Sequence, residues 1–265
     1  MRVSIITVCF NAERTIASTI ASVLAQKYSD YEHIIVDGAS RDRTADVVRE
    51  LRHGALKFVS DPDRGLYDAM NKGIAMAQGD LVGFLNADDF FCRTDALDLL
   101  VAAAEKHPAA DAISAGVMIV DPGDITKVRR AYSSVGYKRW MLRFGHMPPH
   151  PGFYVRSAAL KSVGGFDLQY RTSSDFDWMT RFYYAHKKRA TALPTAIVAM
   201  RAGGITTRGW TSMCAVNGDI KGILRSNGVA ASAAMIWSKY LFKVGQCLPA
   251  RRFVQIPGSV RWPAD

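Results

Sequence analysis

Apolar residues follow two alternating periods over the first hundred or so positions. Short continuous apolar runs, VSIITVCF (3–10), YEHIIVD (31–37), LKFVS (56–60) and LVGFL (81–85), alternate with segments whose apolar residues recur every three or four positions. The runs predict strands buried on both faces, and the intervening segments 13–26, 42–52, 66–77 and 95–106 predict amphipathic helices. In 13–26, Ile16, Ile20, Val23 and Leu24 fall on one face, and Thr94 with Asp95 gives the start signal for the helix over 95–106. Strands and helices in this alternation predict an α/β protein with a mostly parallel central sheet covered on both faces.

Such sheets bind ligands beyond the carboxyl ends of their strands. Here four strand ends run into polar clusters: Asn11, Asp37-Gly38-Ala39-Ser40, Asp61-Pro62-Asp63-Arg64-Gly65, and Asn86-Ala87-Asp88-Asp89. Their coincidence predicts one polar site along one edge of the sheet. Beyond residue 110 the pattern becomes irregular. Runs at 112–120, 127–133, 152–157 and 195–200 predict strands, 175–185 a helix, and 211–225 and 229–245 two closing helices.

Charge divides the chain at nearly the same place. The net charge of +10 combines 12 basic against 19 acidic residues up to position 126 with 22 against 5 thereafter. An acidic half can hold a metal ion, whereas a basic half suits a phosphate-bearing ligand, an anionic membrane surface or nucleic acid. Cys9, Cys92, Cys214 and Cys247 are widely spaced and form no CxxC pair, which excludes a zinc ribbon and predicts reduced thiols in the cytoplasm. The opening MRVSIITVCFN reads as a strand, not a signal peptide, and no uncharged run is long enough to span a bilayer.

Several spaced motifs now agree. SIITVCFNAERTIASTIASVLAQKYSDYEHIIVDGASRDRT, DRGLYDAMNKGIAMAQGDLVGFLNADD, GGFD (164–167) and SSDFDW (173–178) resemble the family 2 glycosyltransferases over roughly residues 1–210. The similarity is greatest to bacterial enzymes of exopolysaccharide and glycolipid biosynthesis. It implies the GT-A (Rossmann-like) fold, with residues 1–110 as the nucleotide-sugar-binding half and 111–210 as the acceptor-binding half. Residues 211–265 are then a C-terminal segment of amphipathic helices.

The chemistry implied is transfer of a sugar from a nucleotide-diphosphate sugar, expected to be UDP-linked, to a hydroxyl of a lipid-linked or saccharide acceptor. The departing diphosphate gathers negative charge, which Mn2+ or Mg2+ held by hard oxygen ligands neutralises. By the resemblance Asp88 occupies the last acid of the family's DxD position. Asn86 stands where the first acid belongs, able to bond ribose or a metal-bound water, and Asp89 is a second ligand or a partner for the helix that follows. The same resemblance sets Asp37 to receive a hydrogen bond from the base, Val8 and Phe10 beside its ring, and Asn11 to fix the loop. Phe10 has core packing as its alternative. Arg64 is a candidate diphosphate contact, and Asp61, Asp68 and Asn71 either join it or cap the following helix.

On the acceptor side the resemblance gives Asp175 the role of general base, with Ser174 where relatives carry Glu. Asp177, about 200° around the helix, is expected to pair with Arg181. His150 in MPPHPGF is an acceptor contact or a loop histidine, and Arg208 in GGITTRGW is placed to close over the phosphates. Inversion at the anomeric carbon is inherited from the family.

Two rival readings remain at this stage. A nucleotidyltransferase of similar fold carries a Gly-rich basic loop after its first strand, which CFNAERT matches poorly. A noncatalytic nucleic-acid-binding protein draws on residues 127–143, with six basic residues and no acid around Tyr132, Tyr137 and Trp140. No nucleic-acid partner is expected, because aromatics beside cations suit sugar phosphates equally. Finally, Gly228 to Arg252 aligns Met235, Ile236, Tyr240, Leu241, Val244 and Leu248 on a stripe beside Lys239 and Lys243. That pattern predicts a peripheral helix on the inner face of the cytoplasmic membrane, with packing on the catalytic domain as the alternative.

Overall fold

β1 (Val3–Cys9) is buried from end to end, as a strand with helices on both faces must be. In the computed structural model, which describes residues 1–203 and 210–240, it is flanked in parallel by β2 (Tyr31–Asp37) and β4 (Leu81–Phe84). β3 (Leu56–Ser60) lies parallel outside β2. The register sets Cys9 beside Asp37 and Asp37 beside Ser60, so these strand ends lie level. α1 (Ile16–Leu24), α2 (Thr44–Glu50) and α3 (Leu66–Met76) make the crossovers, and α4 (Ala96–Lys106) comes after β4 and a further short strand.

The second half of the sheet is mixed. β8 (Phe153–Arg156) joins β4 antiparallel, β6 (Ala112–Val120) joins β8 antiparallel, and β9 (Ala190–Arg201) joins β6 in parallel. β5 (Asp89–Phe91) closes the far edge antiparallel to β9, and β7 (Val128–Tyr132) pairs with β6 off the main path. Gly83 is required where β4 meets β8, since a Cβ there would lie 2.3 Å from the Tyr154 ring.

Several elements differ from the sequence expectation. β5 forms inside the acidic cluster, because β9 offers the segment a partner. β9 starts at Ala190 rather than 195, because a register shift between Leu193 and Ala196 absorbs Pro194 as a bulge. α5 (Ser157–Val163) was not expected, and the helix expected over 175–185 appears as α6 (Ser174–Thr180) followed by a π-turn over Arg181–Ala185.

One core cluster joins Ile6, Val8, Tyr67 and Phe84 to Phe153, Phe166, Phe176, Trp178 and Phe182. α7 (Trp210–Ser226) and α8 (Ala233–Trp237) add Ile220, Ile223, Leu224 and Ile236 to it. A second cluster packs α4 against the opposite face of the sheet through Leu85, Phe91, Leu97, Leu100 and Tyr154. Ile236 and Lys239, from the stripe expected over 228–252, are therefore buried against the domain. The remainder of that stripe, from Leu241 onward, lies outside the described residues.

Candidate active site

Asp37 ends β2 with its carboxylate turned into the loop rather than outward. Oδ2 accepts from the Ser60 hydroxyl at 2.6 Å and the Ser40 amide at 3.1 Å, and Oδ1 accepts from the Ser40 hydroxyl and, at 3.6 Å, the Cys9 thiol. Burial and the Asp37 charge push that thiol up. Asn11 takes a left-handed conformation (φ 51°), which asparagine tolerates, and ties the first loop to the second. Its amide donates to the Ser40 hydroxyl at 2.8 Å, and its Oδ1 accepts from the Arg41 amide at 2.9 Å. Val8 is buried beneath these loops. Phe10 is 61% exposed, which decides against a core role.

Along the same edge, the loop after β3 leads into α3. Arg64 pairs with Asp68 one turn on (2.9 Å), and the Arg64 amide also donates to Asp68 at 3.0 Å. The pairing raises the guanidinium and lowers the carboxyl from their usual values. With 76% of its side chain exposed, Arg64 stands free to meet a second anion.

The 86–89 turn is held from behind by polar residues on α1 and just beyond its end. The Thr19 hydroxyl lies 2.7 Å from the Asp89 carbonyl and 3.0 Å from that of Ala87. Ser22 accepts from the Phe91 amide at 3.1 Å, and Gln26 bonds the Arg93 carbonyl (2.8 Å) and the Leu97 amide (3.2 Å). Arg201, at the end of β9, completes the support. It donates to the Asp88 carbonyl at 2.7 Å and the Ser18 hydroxyl at 3.0 Å while lying over the Phe90 ring. Between these supports Asp88 is exposed, yet partial desolvation raises its carboxyl from the usual range against the opposing Arg201 charge. Asp89 is 2% exposed and accepts from the Asn86 amide nitrogen at 3.2 Å. Burial, reinforced by the Asp88 charge, pushes the Asp89 carboxyl well above the usual range.

The residues of this turn fit a hard divalent cation. Asn86 keeps a buried Oδ1 without a hydrogen-bond partner, Asp88 offers an exposed carboxylate, and Asp89 holds a carboxylate in surroundings that favour neutralisation. Among the described residues no three His, Cys, Asp or Glu side chains gather into a metal cluster. A cation bound here would complete its coordination from phosphate and water, the usual pattern for Mg2+.

Across β4, two residues before Asn86, the ring of Phe84 stacks on His150 with centroids 5.0 Å apart. Phe166 meets both rings edge-on. Burial lowers His150, and the nearby Asp175 charge opposes the shift. Asp175, in the first turn of α6, accepts from the Tyr67 hydroxyl at 3.1 Å and the Phe176 amide at 2.8 Å. Asp177 turns away to Arg181 at 2.8 Å, as the spacing predicts, and Arg181 also bonds the Val163 and Gly165 carbonyls. Asn71 clamps the backbone of Phe166, accepting from its amide at 2.7 Å and donating to its carbonyl at 2.9 Å. Gly165 is required for that approach, since a Cβ there would lie 2.6 Å from the Asn71 Oδ1.

The structure thus brings Asn11 to Asp37 through Ser40, Asn86 to Asp89, and His150 to Asp175, all on loops or helix starts at the carboxyl ends of the parallel strands. Arg208 lies outside the described residues. Sequence reasoning missed Tyr67, Thr19 and Arg201. Only Tyr67 carried a signal, its place inside DRGLYDAMNKG.

The comparisons with known proteins agree with this geometry. Residues 4–164 match the model of the family described as Glycosyl transferase family 2. An uncharacterized glycosyltransferase of Mycobacterium tuberculosis is 32% identical over 182 residues, covering 68% of both chains. A PGL/p-HBAD biosynthesis glycosyltransferase of Mycobacterium bovis is 28% identical over 184 residues, covering 68% of this chain and 69% of its own. Among solved structures, S. aureus TarS in complex with UDP-GlcNAc superposes with a TM-score of 0.68 at 18% identity, over 91% of this chain and 72% of that one. The mannosyltransferase PcManGT from Pyrobaculum calidifontis, in complex with GDP-Man and Mn2+, gives 0.60 at 18% identity, over 91% and 80%.

Proposed function

This chain belongs to glycosyl transferase family 2 and is a glycosyltransferase of GT-A fold, and on that premise we propose that it is a metal-dependent, inverting enzyme. Its donor is a nucleotide-diphosphate sugar, UDP-linked, and its acceptor a hydroxyl on a lipid-linked or saccharide molecule in bacterial polysaccharide or glycolipid assembly. Membership of the family decides against the nucleotidyltransferase and the noncatalytic nucleic-acid-binding readings.

One observation carries the proposal. Asp175 lies close to His150, whose ring stacks on Phe84 of the strand that runs into the Asn86–Asp89 turn, where Asp88 is exposed. That arrangement supports two carboxylates with different tasks. Asn86, Asp88 and Asp89 would hold Mn2+ or Mg2+, which supplies positive charge to the departing diphosphate. Arg64 adds a fixed cation on the donor side, and Phe10 with Val8 and the Asp37 loop forms the platform for the base. Asp175 receives the proton of the acceptor hydroxyl as its oxygen bonds the anomeric carbon. The bond from that carbon to the phosphate oxygen breaks, and its electron pair leaves with the nucleoside diphosphate. Attack opposite the leaving group inverts the centre.

The relative named for PGL/p-HBAD biosynthesis supports a glycolipid setting. The basic second half supports a peripheral position on the inner face of the cytoplasmic membrane, whereas the described part of the 228–252 stripe packs on the domain. No described helix is long and apolar enough to cross a membrane. The decisive experiment pairs calorimetric titration of UDP, with and without Mn2+, with assays of Asp175→Asn. Metal-dependent UDP binding, with turnover lowered by roughly 10²–10⁴ at unchanged nucleotide affinity, is expected. Metal-independent binding or undiminished turnover refutes the corresponding part of the proposal.

A further inference from the structure

The two oxygens of Asp175 are not equivalent. Oδ1 accepts from the Tyr67 hydroxyl at 3.1 Å and from the Phe176 amide at 2.8 Å, whereas among the described residues no hydrogen bond reaches Oδ2. The final torsion of an aspartate is broad, so the side-chain rotamer alone does not set the plane of the carboxylate. The Phe176 amide belongs to the adjacent residue and follows Asp175 wherever α6 goes. Tyr67 is 108 positions away in sequence, so its bond fixes the carboxylate to another part of the molecule.

Tyr67 is well anchored. It is buried in the second position of α3, and its ring packs on Phe166 with centroids 5.3 Å apart. Burial, reinforced by the Asp175 charge, pushes its phenol well above the usual value, so it remains a donor at neutral pH. One turn later, Asn71 of the same helix holds the Phe166 backbone from both sides. α3 therefore presents Tyr67 and Asn71 to the acceptor half, while its start carries the Arg64–Asp68 pair of the donor edge.

We propose that Tyr67 is a positioning residue for glycosyl transfer: with the Phe176 amide it holds Oδ1 of Asp175, fixes the plane of the carboxylate and leaves Oδ2 to take the acceptor's proton. The inference rests on Asp175 being the base, and its mechanism is geometric. A carboxylate free to turn presents Oδ2 to the acceptor hydroxyl for only part of the time, and small losses of alignment are costly in proton transfer.

A double-mutant cycle tests it with Tyr67→Phe, Asp175→Asn and the pair, each assayed for kcat, acceptor KM, donor Kd by calorimetry and Tm. Tyr67→Phe keeps the buried ring and removes only the hydroxyl. It should lower kcat roughly tenfold with donor Kd and acceptor KM near wild type, and should cost nothing further in the Asp175→Asn background. Wild-type kcat in Tyr67→Phe beside an impaired Asp175→Asn overturns the inference and leaves the base in place. An equal loss in both backgrounds also overturns it, because the ring would then act through packing alone. Undiminished kcat in Asp175→Asn removes the base itself, and the inference with it. A fall in Tm affects both backgrounds alike, so the cycle still reads the coupling.

Discussion

Asp37 and Asp89 are bonded by small polar groups of their own turns and, for Asp37, of the neighbouring strand end, whereas Asp175 is reached by a tyrosine set in a cluster of rings. The two halves of the molecule thus hold acids by different means. In the first, level parallel strand ends bring serine, threonine and asparagine within bonding distance, and each loop bonds the next. In the second, strands of mixed direction leave irregular connections, and Phe84, His150, Phe166 and Trp178 fill the space between them. Polar straps are specific about distance and intolerant of a missing atom; ring packing sets the position of a whole helix start. The edge built by the first half should therefore be sensitive to single hydroxyls, and that built by the second half to shape.

The largest expected effect separates an acid that serves the fold from one that does not. Asp88→Ala should lower Mn2+-dependent turnover by at least about 10³, an electrostatic loss of the usual size. Its midpoint in urea should stay close to wild type, because the exposed side chain supports nothing in the core. A parallel loss of stability would place Asp88 among the straps. Next, Thr19→Val preserves shape but leaves the carbonyls of Ala87 and Asp89 without their donor. Urea unfolding should show a loss of about 1–3 kcal/mol, and donor KM should rise as the turn loosens. Unchanged stability would break the contrast between the halves.

A pH series sharpens it further. Burial lowers His33, bonded to Thr7 across β1 and β2, to about 3. The unfolded chain binds this proton near pH 6.5 and the folded one does not, so stability is full above about pH 6.5 and falls as pH drops towards 3. The slope from this one group approaches about 1.4 kcal/mol per pH unit. His33→Asn should flatten the acid limb measured by thermal unfolding at several pH values, and a limb of unchanged slope would clear His33. The smallest effect has the opposite sign. The folded Asp89 carboxyl is raised, so ionising it at neutral pH opposes folding, and that cost starts to fall as pH drops below the folded value and is gone below the unfolded one. Asp89→Asn should stabilise the protein by about 1 kcal/mol at pH 7 while weakening Mn2+ binding. A destabilised variant would mean that the carboxylate serves the turn.

The first half was legible in the sequence to the extent that its physics is local. Four apolar runs ending in polar residues specify four strands with polar clusters at their tips, of which β3 at the edge is only partly buried, and a four-residue spacing specifies the Asp177–Arg181 pair. The resemblance sets Asp37 to face a base, and its bonds to Ser40 and Ser60 have no local signal, since alternation along a strand says nothing of what a loop does next. Thr19 and Ser22 of α1, and Gln26 just beyond it, carry no local signal of a partner. They are buried because a turn nearly 70 positions away uses them. Arg201 reaches Asp88 across 113 positions, and no local period announces such a partner. Pro194 hid the first half of β9, since the strand carries it only by shifting register against β6.

α3 also constrains how proteins of this design can be recombined. It lies in the first 110 residues of the chain, yet Tyr67 and Asn71 bond Asp175 and Phe166 in the later portion. A chimera that joined two relatives near residue 110, to graft one acceptor preference onto another donor preference, would divide these contacts between parents. The exchange should succeed where residues 66–76 travel with the acceptor portion, or where both parents present the same groups at the positions of Tyr67, Asn71, Gly165 and Asp175. The seam that matters for such grafts therefore runs along a helix rather than through the loop between the two portions.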